Sequence, residues 1–377
     1  MNRLQIQNFA QIADVDLTFG DLTILVGAQG TGKSLALQWL KVAMDGGFMV
    51  NALHDAGHTT EKTETLIDLI FGVGMGKAHT KEKTKVLFDN KEITPGKIQK
   101  IGKNHERLFF VPAHRAMLIS DGWAAPFQKL NADTPVVARI FSQNLFDRFS
   151  VRNAGLLFPL NRVLKKEYRE MIDEAIFHNG QIAMVEDLQH KKRLQLSHGN
   201  MHLPFMTWTS GQREFTPLLL GLDRLLTSRK KTKDPDIDWV VIEEPEMGLH
   251  PRAITVILLL VLDLLWRGYR VVLSTHSPHV VTAVWMIRRL KELNADWSFV
   301  CDAFDVSDAS QIKSVAEAAL TKDYKVYSLS FDGNGDVNSR DISYLDPESE
   351  DDDESGWGGL TEFSSRFSDS VMKAVNA

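Results

Sequence analysis

Apolar residues recur along this chain with two periods, and the changes of period mark its elements. Leu4 and Ile6, then Val15, Leu17 and Phe19, alternate with polar neighbours, which predicts an antiparallel pair of strands. Leu22–Val26, Leu108–Val111, Trp239–Ile242 and Arg270–Leu273 are short, nearly continuous apolar runs of the kind buried parallel strands show. Helical spacing covers residues 63–73 and predominates from Phe127 to Lys191, with Leu164, Tyr168, Met171, Ile172 and Ala175 as its clearest stretch. Ile254–Trp266 reads as a buried helix that joins two of the parallel strands in a βαβ unit. Asp89-Asn90-Lys91 and Gly333-Asn334-Gly335 are turn signals for two hairpins, Lys85–Ile93 and Tyr324–Ile342. Gln181–Val185 and Arg193–Leu196 read as short strands around Gln189-His190-Lys191-Lys192. The acidic run Asp346–Glu354 is too charged to pack and reads as a disordered linker over 346–356. Beyond it Leu360, Phe363, Phe367, Val371 and Val375 fall on one face of an amphipathic helix within 357–377.

Composition narrows the class. The chain has 377 residues, 44% of them hydrophobic and 24% charged, as expected of a soluble globular protein, and the βαβ pattern above makes it an α/β one. No run is long enough to span a bilayer, no signal-peptide core is present, and the single cysteine, Cys301, fits a reducing compartment. These features predict a cytoplasmic protein with no membrane partner. A net charge of −6 gives no global attraction to nucleic acid, so DNA could be met only by a local patch. One basic stretch exists, Lys77–Arg107, with nine Lys/Arg against four Asp/Glu.

The candidate chemistry starts at Gly27-Ala28-Gln29-Gly30-Thr31-Gly32-Lys33-Ser34, directly after the apolar run Leu22–Val26. Glycines at 27, 30 and 32 let successive backbone N–H groups line one concavity, Lys33 adds a charge for the terminal phosphates, and Ser34 is placed to ligate Mg²⁺. A helix beginning near Lys33 would turn its positive end to the same anion. The spacing predicts a nucleoside triphosphate site contacted by Gly27, Gln29, Gly30, Thr31, Gly32, Lys33 and Ser34. Glu243 and Glu244 end a buried strand, where one carboxylate can hold the metal and its neighbour can activate water. Ser210-Gly211-Gln212 opens a helix and offers N–H groups and a hydroxyl to a phosphate, although the same pair suits a plain N-cap. His276 follows another buried strand and would lie on the same sheet edge.

In this order the motifs resemble an ABC-type ATPase head of the SMC/RecF/OLD group. Glu243-Glu244-Pro245-Glu246-Met247-Gly248-Leu249-His250-Pro251 is similar to the form found in OLD nucleases and in stand-alone AAA ATPases of PARIS-, Septu- or retron-type phage defence. The resemblance implies a P-loop NTPase fold over residues 1–345, with an N-terminal antiparallel β-subdomain, a mostly parallel core sheet and a helical lobe at roughly 126–225. No heptad run for a long coiled coil is present. Gly27–Ser34 becomes the Walker A loop, Ser210-Gly211-Gln212 the signature, Val240–Glu244 the Walker B strand, Met247–Pro251 the D-loop and His276 the switch histidine. Gln29 and Glu243 stand where many relatives have Asn and Asp. The Q-loop is not identified by its residues; Pro112-Ala113-His114-Arg115 occupies an equivalent place.

The resemblance implies ATP and Mg²⁺ as cofactors, hydrolysis with Glu244 and His276 as catalytic groups, and Ser34 and Glu243 at the metal. It also implies a homodimer or higher homo-oligomer, in which each Ser210 completes the other copy's nucleotide site. After His276 no strand-end Glu with a later Asp-x-Asp suits a nuclease domain, since Asp351 and Asp353 lie in the acidic run. The expected output is therefore control of a separately encoded effector, a nuclease or toxin, in anti-phage defence. The alternative is a RecF- or SMC-like DNA-repair or chromosome-maintenance ATPase.

Overall fold

A computed structural model describes residues 2–120, 122–150, 154–159, 164–186, 191–226, 231–306 and 311–375. Its strands in chain order are β1 (Arg3–Phe9), β2 (Ile12–Thr18), β3 (Leu22–Val26), β4 (Lys85–Phe88), β5 (Lys91–Glu92), β6 (Leu108–Val111), β7 (Ile119–Ser120) and β8 (Trp123–Ala124). They continue as β9 (Gly155–Phe158), β10 (Gln181–Glu186), β11 (Lys192–His198), β12 (Met201–Pro204), β13 (Trp239–Glu243), β14 (Arg270–Ser274), β15 (Tyr324–Phe331) and β16 (Val337–Asp341). The helices are α1 (Lys33–Asp55), α2 (Thr63–Phe71), α3 (Val136–Ser150), α4 (Lys166–Ile172), α5 (Ser210–Leu222) and α6 (Pro251–Arg267). After them come α7 (Pro278–Glu292), α8 (Ser298–Ala303), α9 (Lys313–Ala319), α10 (Asp352–Ser355) and α11 (Glu362–Val375).

One ten-stranded sheet organises the chain in the order β5-β4-β1-β2-β16-β15-β3-β14-β13-β6. The five strands from β15 to β6 are parallel, and β2, β1, β4 and β5 form an antiparallel meander. Strand β16 joins the two halves, antiparallel to β15 and parallel to β2. Successive residues of β13 feed opposite cores, Val240 and Ile242 one and Trp239 and Val241 the other. That explains why the strand reads as a continuous apolar run. On one face Trp39 of α1 packs between Phe9 and Phe71, with ring centroids 5.2 and 4.8 Å away. The other face carries α6, whose apolar residues are buried almost throughout. This is the α/β architecture expected: an antiparallel N-terminal part, a parallel core and a second lobe. Among the described residues the longest helix is α1, with 23 residues, so a long coiled coil is absent there.

The stretch from Phe127 to Lys191 is mostly helical, as its spacing predicts, but β9 also forms in its middle and pairs with β10 in a four-stranded sheet, β12-β11-β10-β9. The lobe expected to be helical over 126–225 therefore combines α3, α4 and α5 with a sheet. The predicted turn at Gln189-His190 lies outside the described residues. The acidic run over 346–356 is built into the fold rather than left as a disordered linker. Asp351 caps α10 by accepting from the N–H groups of Asp353 and Glu354, and Arg340 pairs with Asp351 at 2.6 Å and with Asp353 at 3.6 Å. Just beyond, Trp357 donates to the carbonyl of Leu345, and Gly358 packs so closely that a Cβ would stand 2.6 Å from Val26. Arg340 and the start of α10 hold Asp351 and Asp353, while Asp346, Glu348 and Glu350 stay exposed, an arrangement the composition does not reveal.

Candidate nucleotide-binding site

Strand register builds the site. Leu25 of β3 pairs with Ser274 of β14, Ser274 with Glu243 of β13, and Ile242 with Val111 of β6. All four strands are parallel, so their carboxyl ends open on one edge, where ligands of such sheets sit. The loop 27–32, Glu243-Glu244, His276 and the turn after Val111 all leave from that edge.

The loop has the shape its residues predict. Gly27, Gly30 and Gly32 hold φ of 137°, 79° and 80°, and a Cβ on Gly27 would lie 2.1 Å from the carbonyl oxygen of Leu329 in β15. Only glycine fits there. Thr31 is buried and donates to the carbonyl of Ala28 at 2.9 Å, while the exposed Gln29 and Gly30 form the rim. The N-terminal hairpin buttresses the loop, since Gln11 donates to the Gly30 carbonyl and Ile12 packs against Gly32. Lys33 opens α1 and donates from Nζ to the carbonyls of Gly27 and Ala28, both at 2.9 Å. Burial pushes its ammonium down to about 8, against the pull of Glu244 and Glu246. Helix α1 has no side-chain cap and no acid in its first turn, so its leading N–H groups face an anion without competition.

Glu243 is 4% exposed, and burial pushes its carboxyl up to about 7 despite hydrogen bonds from Ser34 and the Ala113 N–H. Its second oxygen, Oε1, is buried without a hydrogen-bond partner. An orphaned carboxylate oxygen beside a serine hydroxyl suits a hard divalent cation such as Mg²⁺, which Ser34 and Glu243 would hold. Glu244 takes a left-handed backbone, φ 41°, and donates its N–H to the Ser274 carbonyl at 2.9 Å. This turn points consecutive carboxylates in different directions. Glu244 Oε1 lies 3.6 Å from Nε2 of His276. Burial, followed by the charge of Lys33, holds the His276 imidazole below its ordinary range.

Two further residues shape the site, and the sequence did not show how. Glu246 accepts from both the Thr275 hydroxyl, at 2.7 Å, and the His276 N–H, at 2.6 Å, and so fixes the histidine's backbone. The signal was present in Glu-Glu-Pro-Glu, but nothing in the run shows which carboxylate turns inward. Arg115 ends the turn Pro112–Arg115 after β6 and is fully buried, which the sequence did not indicate.

Ser210 stands apart from the loop. Thr209, not Ser210, is the N-cap of α5 and forms a reciprocal capping box with Gln212. Gln212 also donates to the Ile176 carbonyl at 3.1 Å, so its side chain is committed to the fold and is a poor phosphate contact. Ser210 is exposed, and a Cβ on Gly211 would lie 3.1 Å from the carbonyl oxygen of Gly248. The start of α5 thus rests on the turn Met247–Pro251 of its own chain, and none of the loop's hydrogen bonds reaches it.

With this loop between β3 and α1, the chain is a P-loop α/β protein. The domain family described as "AAA domain, putative AbiEii toxin, Type IV TA system" matches residues 165–282. That segment holds Ser210, Glu243, Glu244 and His276 but not the phosphate loop. No curated protein matches the chain. Among solved structures it is similar to an SmcHead bound to the C-winged helix domain of ScpA, at 10% identity over 90% of this chain and 96% of that one, TM-score 0.46. It is also similar to the SMC head domain from Thermotoga maritima, at 12% identity over 90% and 97%, TM-score 0.37. A third is an Smc head domain with an extended coiled coil bound to the C-terminal domain of ScpA, derived from Pyrococcus furiosus, at 11% identity over 90% and 96%, TM-score 0.39.

Proposed function

We propose that this chain binds and hydrolyses ATP, that two or more copies join through the nucleotide, and that the assembly controls a separately encoded effector, a nuclease or toxin, in anti-phage defence. The observation that carries the ATPase part is the convergence of Lys33, Ser34, Glu243, Glu244 and His276 on one sheet edge. Lys33 and the first turn of α1 bind the triphosphate. Mg²⁺, when bound at Ser34 and Glu243, would neutralise charge on the phosphate oxygens. Glu244 orients the attacking water and accepts its proton, while His276, neutral near pH 7, donates toward the terminal phosphate.

Assembly is supported by the exposed Ser210 hydroxyl, which has no hydrogen-bond partner among the described residues. The turn before α5 adds Met206, 68% exposed, and Met117 next to Arg115 is 77% exposed. Exposed apolar side chains of this size suit a surface that closes on another copy. The effector and the defence role rest on the likeness of Glu243–Pro251 to defence ATPases. Light scattering with and without ATP tests assembly, and co-purification with the product of the neighbouring gene tests the effector. Nucleotide-independent monomers that hydrolyse ATP at full rate would refute the shared site.

A second reading, a DNA-maintenance ATPase, draws on one observation. Lys77, Lys81, Lys83, Lys85, Lys91, Lys97, Lys100 and Lys103 are all exposed, and none has an ion-pair partner among the described residues. Duplex binding that weakens steeply with salt in the ATP-bound state would favour it.

A further inference from the structure

We infer that Arg115 couples the two nucleotide sites of the ATP-joined pair, as a positioning residue that ties the Ser210 helix to Glu244 of the same chain. The inference rests on the shared-site reading above. In such a pair, a chain's Glu244 serves the nucleotide on its own loop, whereas its Ser210 serves the nucleotide of the other copy. Anything that locks α5 to the end of β13 therefore connects one site to the other.

Arg115 is so placed. It lies on the turn after β6, is 0% exposed, and spreads its guanidinium over three segments. Nε donates to the carbonyl of Glu214, in the first turns of α5, at 2.9 Å. Nη1 donates to Glu243 at 3.1 Å, and to Pro112 and Ala113 of its own turn at 3.1 and 3.3 Å. Nη2 reaches the carbonyls of Glu244 and Pro245, both at a longer 3.4 Å. Every acceptor is a main-chain carbonyl, and no carboxylate lies within ion-pair distance among the described residues. A guanidinium that costs this much to bury is held for its fork, which a lysine cannot reproduce.

A second contact between α5 and this region is the close approach of Gly211 to Gly248 and Leu249. A shift of α5 when Ser210 meets the other copy's phosphate would break or drag the Glu214 bond. The guanidinium would carry that displacement to the carbonyls of Glu243, Glu244 and Pro245. Glu244 holds the left-handed backbone there, so a small movement re-aims its carboxylate. Arg115 is fully buried and acts through Glu244.

The test is the ATP dependence of steady-state hydrolysis by the full chain, with affinity for a fluorescent ATP analogue and melting temperature measured alongside. Wild type should be cooperative, with a Hill coefficient above one. Arg115→Lys should keep analogue affinity within about threefold, lose cooperativity and turn over about tenfold more slowly. Ser210→Ala should slow wild type strongly but add little in the Arg115→Lys background, because the link is already cut. Wild type that hydrolyses ATP with a Hill coefficient of one overturns the coupling without any variant, which guards against a variant that does not fold. Retained cooperativity in Arg115→Lys, or parallel collapse of affinity, turnover and melting temperature, also overturns it. Absence of hydrolysis by wild type would instead refute the ATPase reading.

Discussion

Nε2 of His276 stands 3.6 Å from Oε1 of Glu244, and both side chains are about 30% exposed. Each can reach a water or phosphate in front of the sheet edge, unlike the buried Glu243. Replacing Glu244 by Gln removes the proposed base and keeps the shape. Hydrolysis by Glu244→Gln should fall about 10²- to 10³-fold with ATP binding retained, so that ATP-loaded assemblies accumulate in light scattering. Wild-type turnover in this variant would show that another group activates the water.

Nucleotide affinity should depend on pH through Lys33. Burial holds its ammonium near 8. Phosphate binding favours the charged form, so the amine is fully charged well below pH 8, and above it binding must take up a proton. Affinity for a non-hydrolysable ATP analogue should be flat from pH 6 to 7 and then decline, approaching about tenfold per pH unit above 8. Titration calorimetry in two buffers of different ionisation heat would register the proton uptake at pH 8.5. A flat profile through pH 9 would contradict the role given to Lys33.

Glu243 carries the opposite liability. Its carboxyl titrates near 7 when folded, against 4.5 for an unperturbed one. Between those values the native chain holds a proton that the unfolded chain gives up. Stability from the neutral form is complete below about pH 4.5 and is lost as pH rises through 7. Glu243→Gln, permanently neutral, should therefore melt higher than wild type at pH 8 without metal, by up to about 3 kcal/mol, and show no gain at pH 4.5. The same variant should lose stabilisation by Mg²⁺ with ATP. A lower melting temperature at pH 8 would mean that the carboxylate is already compensated by the protein.

Much of this site was legible because its signals are local. The glycines of 27–32 and the apolar runs ending at Glu243 and Ser274 each specify a backbone state, and parallel register then brings them to one edge. What was not legible depends on partners remote in the chain. Nothing around Arg115 says that its acceptors are carbonyls up to 130 positions away. Glu246 turns inward only because Glu244 adopts a positive φ ahead of Pro245. Gly155–Phe158 is too short to show a period, and it becomes a strand by pairing with β10. The charge of 346–356 concealed a cap and an arginine pair for the same reason: composition counts charges without their counterparts.

The last helix presents apolar side chains to solvent. In α11, Phe367, Val371, Met372 and Val375 are 65%, 51%, 59% and 74% exposed. The fold is fastened just before it, by Trp357 on the Leu345 carbonyl and Gly358 against Val26. Among the described residues, removing 362–377 therefore takes away little buried apolar surface and leaves the Trp357 and Gly358 contacts in place. The truncated chain should keep its ATP turnover within about twofold and its melting temperature within about 2 °C. A cut before Trp357 should cost clearly more, because it strips the packing beside the phosphate loop. If α11 carries the docking surface for an effector, the first truncation should abolish co-purification of that partner while turnover persists. Loss of turnover on removing 362–377 would mean that the helix belongs to the catalytic fold.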